Sequence, residues 1–191
     1  MRLKLSFFCL IITLVLISGC ATIKMSDTSF TDTRDGRVYT TARIGNLIWM
    51  LENLNYDIKG SYCYDDKTTN CNAYGKLYTY GAAFDACPPG WRLPTEGEMK
   101  GLIESFGSND NAADILLKPH PQGFNLSYAG SRYYSGEYAG MGEYIVLWTS
   151  SDVDNEKAIC FSLDSTGDKR ITWPEYLKTA GFSVRCVRKA Y

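Results

Sequence analysis

Tyr80-Gly81-Ala82-Ala83-Phe84-Asp85-Ala86-Cys87-Pro88-Pro89-Gly90-Trp91-Arg92-Leu93-Pro94-Thr95-Glu96-Gly97-Glu98-Met99-Lys100-Gly101-Leu102-Ile103-Glu104-Ser105-Phe106 carries two helical patterns and the break between them. Thr79 stands as N-cap to the first, in which Tyr80, Ala83, Phe84 and Cys87 fall at i, i+3, i+4 and i+7 and make one apolar face. Pro88-Pro89-Gly90 stops it, because proline cannot continue a helix. In the second, Thr95 and Glu98 form a capping box, each side chain answering the other's backbone N–H. Met99, Leu102, Ile103 and Phe106 are its apolar face, and Gly107 ends it. The box accounts for Glu96 and Glu98 without catalysis.

On either side the pattern changes. Upstream, Asp35-Gly36 marks a turn, and the strand-like run from Val38 to Ile44 turns at Gly45-Asn46 into Leu47-Ile48-Trp49-Met50, a predicted hairpin. Cys63 and Cys71 close a polar loop. Downstream, a short helix is predicted over 110–117. Phe124, Leu126 and Tyr128 then alternate as in a strand, and Tyr144-Ile145-Val146-Leu147-Trp148 is an apolar run. Strands over 158–163 and 169–172 flank the turn Asp164-Ser165-Thr166-Gly167-Asp168. The chain closes on a strand in which Phe182, Val184 and Cys186 share a face. Strands at both ends, helices toward the front and no β-α-β alternation predict an α+β fold.

The N-terminus has the build of a lipoprotein signal. A basic start at Arg2 and Lys4 precedes an apolar run over 5–17, and then come Ile17-Ser18-Gly19-Cys20. Roughly 13 apolar residues fall short of the about 20 that span a bilayer. Ile-Ser-Gly-Cys resembles a bacterial lipobox, which makes Cys20 the lipid-modified first residue of a mature, membrane-anchored chain. Ala21 behind it favours the outer membrane. The expected organisation is a signal peptide over 1–19, a lipidated flexible tether over 20–34 and one domain over 35–191. Such a tether reaches at most about 45 Å.

Acidic and basic residues number 21 and 20, with no basic stripe, so nucleic acid is excluded as a partner. His120 is the single histidine, between two prolines, which argues against triad chemistry and a His-based metal site. No cofactor is implied. Behind Cys9 and Cys20 stand Cys63, Cys71, Cys87, Cys160 and Cys186, in number two bridges and one thiol.

Asp35-Gly36, Tyr39, Ile44-Gly45, Trp49-Met50, Glu52-Asn53-Leu54, Cys63-Tyr64, Cys71, Tyr74-Gly75-Lys76-Leu77-Tyr78, Ala86-Cys87-Pro88-Pro89-Gly90-Trp91-Arg92-Leu93-Pro94-Thr95 and Gly181-Phe182-Ser183-Val184-Arg185-Cys186-Val187-Arg188 follow one another in an order that closely resembles the Fibrobacter succinogenes major paralogous domain. The resemblance covers about 35–189 and implies an exported protein, in agreement with Cys20. Trp91-Arg92-Leu93-Pro94-Thr95-Glu96 and the terminal motif also resemble formylglycine-generating enzymes and the C-type lectin-like fold. That resemblance implies two main helices, mixed or antiparallel strands and long loops. It also implies a bridge between Cys87 and Cys186, leaving Cys63–Cys71 as the second and Cys160 as the free thiol.

A fold does not carry a function. The calcium–sugar motifs of lectins are missing, and Asp152, Asp154 and Glu156 read as a solvated turn more than as cation ligands. No close pair of late cysteines matches the formylglycine-generating oxidases. The run from Gly130 to Tyr144, rich in tyrosine, serine and glycine, has the composition of a binding loop. Tyr133, Tyr134, Tyr138 and Tyr144, with Trp148 on the adjoining strand, are therefore the candidate ligand residues. The expected function is a non-enzymatic binding domain for a glycan or an envelope protein, on a lipoprotein of the bacterial cell envelope. The alternatives are an enzyme, either a thiol oxidase using Cys160 or a hydrolase using Glu96, Glu98 or Glu143, and a structural component of the surface.

Overall fold

A computed structural model describes residues 27–107, 109–165 and 169–190. The predicted signal over 1–19, Cys20 and the tether up to residue 26 lie outside the described residues. The predicted hairpin is present as β2 (Val38–Ile44) and β3 (Leu47–Met50), turning at Gly45-Asn46. The rest of the predicted tether is not a tether: Asp27–Thr31 is strand β1, antiparallel to β2, with Thr28 Oγ1 and Thr41 Oγ1 2.6 Å apart. Phe30 of β1 packs on Trp91 at 5.0 Å between ring centroids. The last strand, β12 (Val187–Lys189), pairs with β3 to complete an antiparallel sheet in the order β1-β2-β3-β12.

The middle of the chain is built of short pieces. They are β4 (Ser61–Tyr62), a single 3-10 turn, α1 (Thr68–Tyr74), β5 (Leu77–Tyr78), α2 (Tyr80–Ala86), α3 (Glu96–Ser105) and α4 (Asn109–Leu117). β6 (Ala129–Arg132) and β7 (Tyr138–Met141) then form a hairpin. A second main sheet follows, in which β9 (Lys157–Asp164) lies between β8 (Tyr144–Asp152) on one side and β10 (Ile171–Thr172) and β11 (Glu175–Leu177) on the other, all antiparallel.

The apolar run of β8 is explained by burial on both faces. Ile145 and Leu147, with Phe161 and Leu163 of β9, join Met99, Leu102, Ile103, Leu116 and Trp49 in one core. Val146 and Trp148, with Ala158 and Cys160, face the other way, into a core with Tyr78, Ala83, Ala86, Phe182 and Val184. The C-terminal segment threads between the elements. Gly181 bridges to Arg132, Phe182 to Tyr78 and Ser183 to Leu147 before β12 begins, and Val187, its first residue, bridges to Arg92. The disulfides are Cys63–Cys71 and Cys87–Cys186, and Cys160 is free and buried, the pairing that the resemblance implied.

The architecture overturns the α+β, C-type lectin-like expectation. Four antiparallel sheets carry the described residues, and the longest helix, α3, has 10 residues. Both predicted helices exist, with the capping box in place, but Pro88-Pro89-Gly90 and Gly107 hold them to two or three turns. β4 and β5, for which the sequence predicts no element, pair on either side of the Cys63–Cys71 bridge, and the 130–144 run, expected to be a loop, instead pairs as β6–β7. Gly130 permits the second hairpin: at φ +69°, a Cβ there would stand 2.7 Å from Ala139 O and Met141 N. The alternation at Phe124, Leu126 and Tyr128 does not make a strand. The N–H groups of Phe124 and Leu126 donate to Ile115 O and Leu116 O at the end of α4, so both rings and chains are buried by a wrap around a helix end. Phe84, placed on the apolar face by its spacing, is 48% exposed and meets only the edge of Tyr80.

Candidate ligand-binding site

The second sheet is covered along only part of its length. On one face of β9, Ala158 and Cys160 lie in the core, whereas Ser162 and Asp164 continue the same face beyond it. Opposite them, Tyr144 pairs in register with Asp164, and Val146 with Ser162, which in turn pairs with Thr172 of β10. Tyr133, from the β6–β7 turn, and Tyr176 of β11 rise on either side, and Ser131 and Arg170 complete a cleft of about 370 Å³. That is the size range of small-molecule pockets.

Each tyrosine is positioned by its own local structure. The Tyr133 N–H donates to Glu137 O at 2.7 Å, and Gly136 N–H donates back to Tyr133 O at 2.9 Å, which fixes the turn. Tyr176 stacks on Phe182 with centroids 4.8 Å apart, so the C-terminal segment supports it from below. The Tyr144 ring lies against the backbone of Gly140, where an added Cβ would come within 2.2 Å of Cδ2. Only glycine, at φ +73°, leaves that ring its place. Tyr133 is 46% exposed and Tyr144 38%, so both offer ring faces to the cleft while their bases are held.

The family model for the Fibrobacter succinogenes major domain matches residues 42–188. The chain belongs to that family. No curated protein and no solved structure matches it.

In this Fibrobacter succinogenes major domain the five aromatic candidates do not form one surface. Tyr133 and Tyr144 line the cleft; Tyr134, 69% exposed, projects beside it. Tyr138 is turned to a neighbouring cluster. Its hydroxyl donates to Asp66 Oδ1 at 2.6 Å, its ring lies 5.2 Å from Tyr64, and the Arg132 guanidinium stacks 4.0 Å from the Tyr62 ring. Burial, with the hydrogen bond to Asp66, pushes the Tyr138 hydroxyl up to about 12, and the side chain acts as a strut under the β6–β7 hairpin. Trp148 is fully buried. Its Nε1–H donates to Tyr78 O at 2.7 Å and its ring packs on Phe182 and Tyr80, out of reach of any ligand in the cleft.

The residues missed from sequence are Tyr176, Val146, Ser162, Asp164, Arg170 and Thr172, whereas Ser131 lies in the run read as a binding loop. One signal was present: Ala158, Cys160, Ser162 and Asp164 alternate along one face that turns from apolar to polar halfway.

Of the groups named for catalysis, Cys160, Glu96 and Glu98 are buried or engaged otherwise. Cys160 is wholly buried, and burial raises its thiol far above the range in which a thiolate forms. Glu98 receives both Arg92 Nη groups at 2.7 and 2.6 Å as well as the Thr95 N–H, and Glu96 pairs with Lys100 at 2.6 Å. Glu143 lies in the β7–β8 turn, where its N–H donates to Gly140 O. Asp152 pairs with Lys178 at 2.9 Å, and Asp154 Oδ1 accepts the N–H groups of Glu156 and Lys157, the solvated turn that was expected.

Proposed function

We propose that this domain is a non-enzymatic binding module, displayed on the bacterial cell envelope through a lipid on Cys20, and that the Tyr133–Tyr144–Tyr176 cleft takes a sugar residue of a glycan. One observation carries the reading: exposed tyrosine faces stand over a floor of hydroxyl, carboxylate and guanidinium groups in a single cleft. Sugars present that combination, with apolar C–H faces that sit on rings and hydroxyls that both donate and accept. Two aromatic walls on held bases cost little ordering on binding. The buried Cys160 and the engaged Glu96 and Glu98 weigh against the enzymatic alternatives.

A glycan array probed with the chain from residue 27 onward tests the site. Tyr133→Ala and Tyr144→Ala should each weaken capture by about 2 kcal/mol, roughly 30-fold, as anchors in a binding site do. Retention of no glycan, or capture untouched by both substitutions, would overturn the reading. Incorporation of labelled fatty acid that Cys20→Ser abolishes tests the anchor; unlabelled wild-type chain would remove it.

A further inference from the structure

A second site lies on the opposite side of the C-terminal segment, around Arg185. This residue is 1% exposed. Its Nε–H donates to Asn53 Oδ1 at 2.9 Å, one Nη1–H to Phe124 O at 2.7 Å and one Nη2–H to Asn125 O at 2.6 Å. A guanidinium has five N–H groups, so Nη1 and Nη2 each keep one. Among the described residues no carboxylate forms an ion pair with it, and the partners that hold it are neutral. Burial of this cation is costly and draws its pKa down to about 9, the nearby charge of Glu52 offsetting only part of the fall.

Arg185 lines a cavity of about 200 Å³ between β2, the loop after β3, α1 and the 125–127 turn. Two further donors line it. Tyr39 Oη accepts the Asn55 N–H at 3.1 Å, and Ser127 Oγ accepts from Asn53 Nδ2 at 3.4 Å, so each hydroxyl proton remains to be given. The amides around them are already committed: Asn53 Nδ2 to Tyr74 O, Asn55 Nδ2 to Cys71 O and Asn125 Nδ2 to Leu51 O. The donors left to give are thus those of Arg185, Tyr39 and Ser127, joined at the exposed rim by a second cation, Arg37. Glu52 is instead an acceptor. One of its oxygens accepts the Thr40 N–H at 2.8 Å and the carboxylate stands in the cavity wall.

We propose that this cavity binds a small monocarboxylate, held by the two remaining Arg185 N–H groups and by the hydroxyls of Tyr39 and Ser127. Planar carboxylate matches the fork of a guanidinium, and the volume admits a few heavy atoms behind it. Glu52 makes the site selective. It repels a second negative charge, which disfavours phosphate, and it accepts from a donor carried by the ligand. The site is separate from the tyrosine cleft and stands or falls independently of it.

The test is titration of the full-length chain in mild detergent with acetate and glycolate, and with phosphate and chloride at matched ionic strength, followed by melting temperature and calorimetry. The expected result is a saturable rise in melting temperature with the two carboxylates, tighter for glycolate, whose hydroxyl reaches Glu52, and none with chloride. Ser127→Ala should weaken acetate at least several-fold, and Glu52→Gln should admit phosphate. Arg185→Met should abolish the response. If that variant does not fold, Ser127→Ala and Glu52→Gln still decide the matter. Carboxylates acting no differently from chloride, or acetate affinity unchanged in Ser127→Ala, would overturn the proposal, leaving the cavity a pocket for solvent.

Discussion

Trp148 and Tyr134 stand fourteen positions apart in a chain rich in aromatics, and their burial gives them opposite roles. Trp148→Ala removes a ring that touches Tyr80 and Phe182 and takes from Tyr78 O one of its two donors, the Phe182 N–H remaining, so a loss of about 3–5 kcal/mol in denaturant unfolding is expected. Tyr134→Ala, at an exposed turn, should move stability by no more than about 0.5 kcal/mol. Equal losses would mean that the β6–β7 turn is packed rather than free to bind. Asp32 sets a pH limit of its own. Burial raises its carboxyl, but the Arg34 guanidinium, at 2.7 to 3.2 Å, and the Arg34 N–H outweigh this and hold it below the ordinary value. The unfolded carboxyl, near pH 3.9, therefore takes up its proton first as pH falls. Its contribution is complete above about pH 4 and is lost as pH falls through the depressed folded value. Denaturation midpoints between pH 2 and pH 6 should slope less in Asp32→Asn; an unchanged slope would place the acid sensitivity elsewhere, for example at Glu98, which Arg92 also holds below the ordinary value.

Among the elements, α3 was the most legible and is the most testable. Its first turn is fixed by Thr95 Oγ1, which accepts the Glu98 N–H at 3.1 Å, while Glu98 answers the Thr95 N–H at 2.9 Å. Thr95→Ala should cost about 0.5–2 kcal/mol and Thr95→Ser much less, as measured by chemical unfolding. Equal costs for the two would mean that the hydroxyl caps nothing. Capping boxes, a Gly-Asn turn and proline breaks are local signals, and wherever they occurred (β2, β3, α2, α3) the elements matched. β1 was missed because Asp27-Thr28-Ser29-Phe30-Thr31 has no strong alternation and becomes a strand by pairing with β2, which local sequence cannot display. The β6–β7 hairpin was missed for a similar reason, its glycines reading as loop until their left-handed conformations are seen as the condition for close pairing. The cleft was half legible: its tyrosines were marked by composition, whereas Tyr176 and Thr172 reach it only through strand register.

At the scale of the whole molecule, two bridges do unequal work. Cys63–Cys71 closes a separation of 8 residues and Cys87–Cys186 one of 99. In the chain-entropy account these are worth about 2.5 and about 4.7 kcal/mol. Replacing the second pair with alanine should lower the melting temperature clearly more than replacing the first; the reverse order would mean that the local loop, with α1 packed on it, governs stability. The long bridge fastens the segment that meets β3, β5, β6 and β8 in turn. That segment follows in the chain every strand it joins. Until residues 181–189 emerge, the earlier strands have cores but no common partner, and the apolar surfaces they share with Phe182, Val184 and Val187 stay open. Such a chain closes its sheets only once residues 181–189 are made, and a product stopped at residue 180 is marked as unfinished by the surface it cannot close.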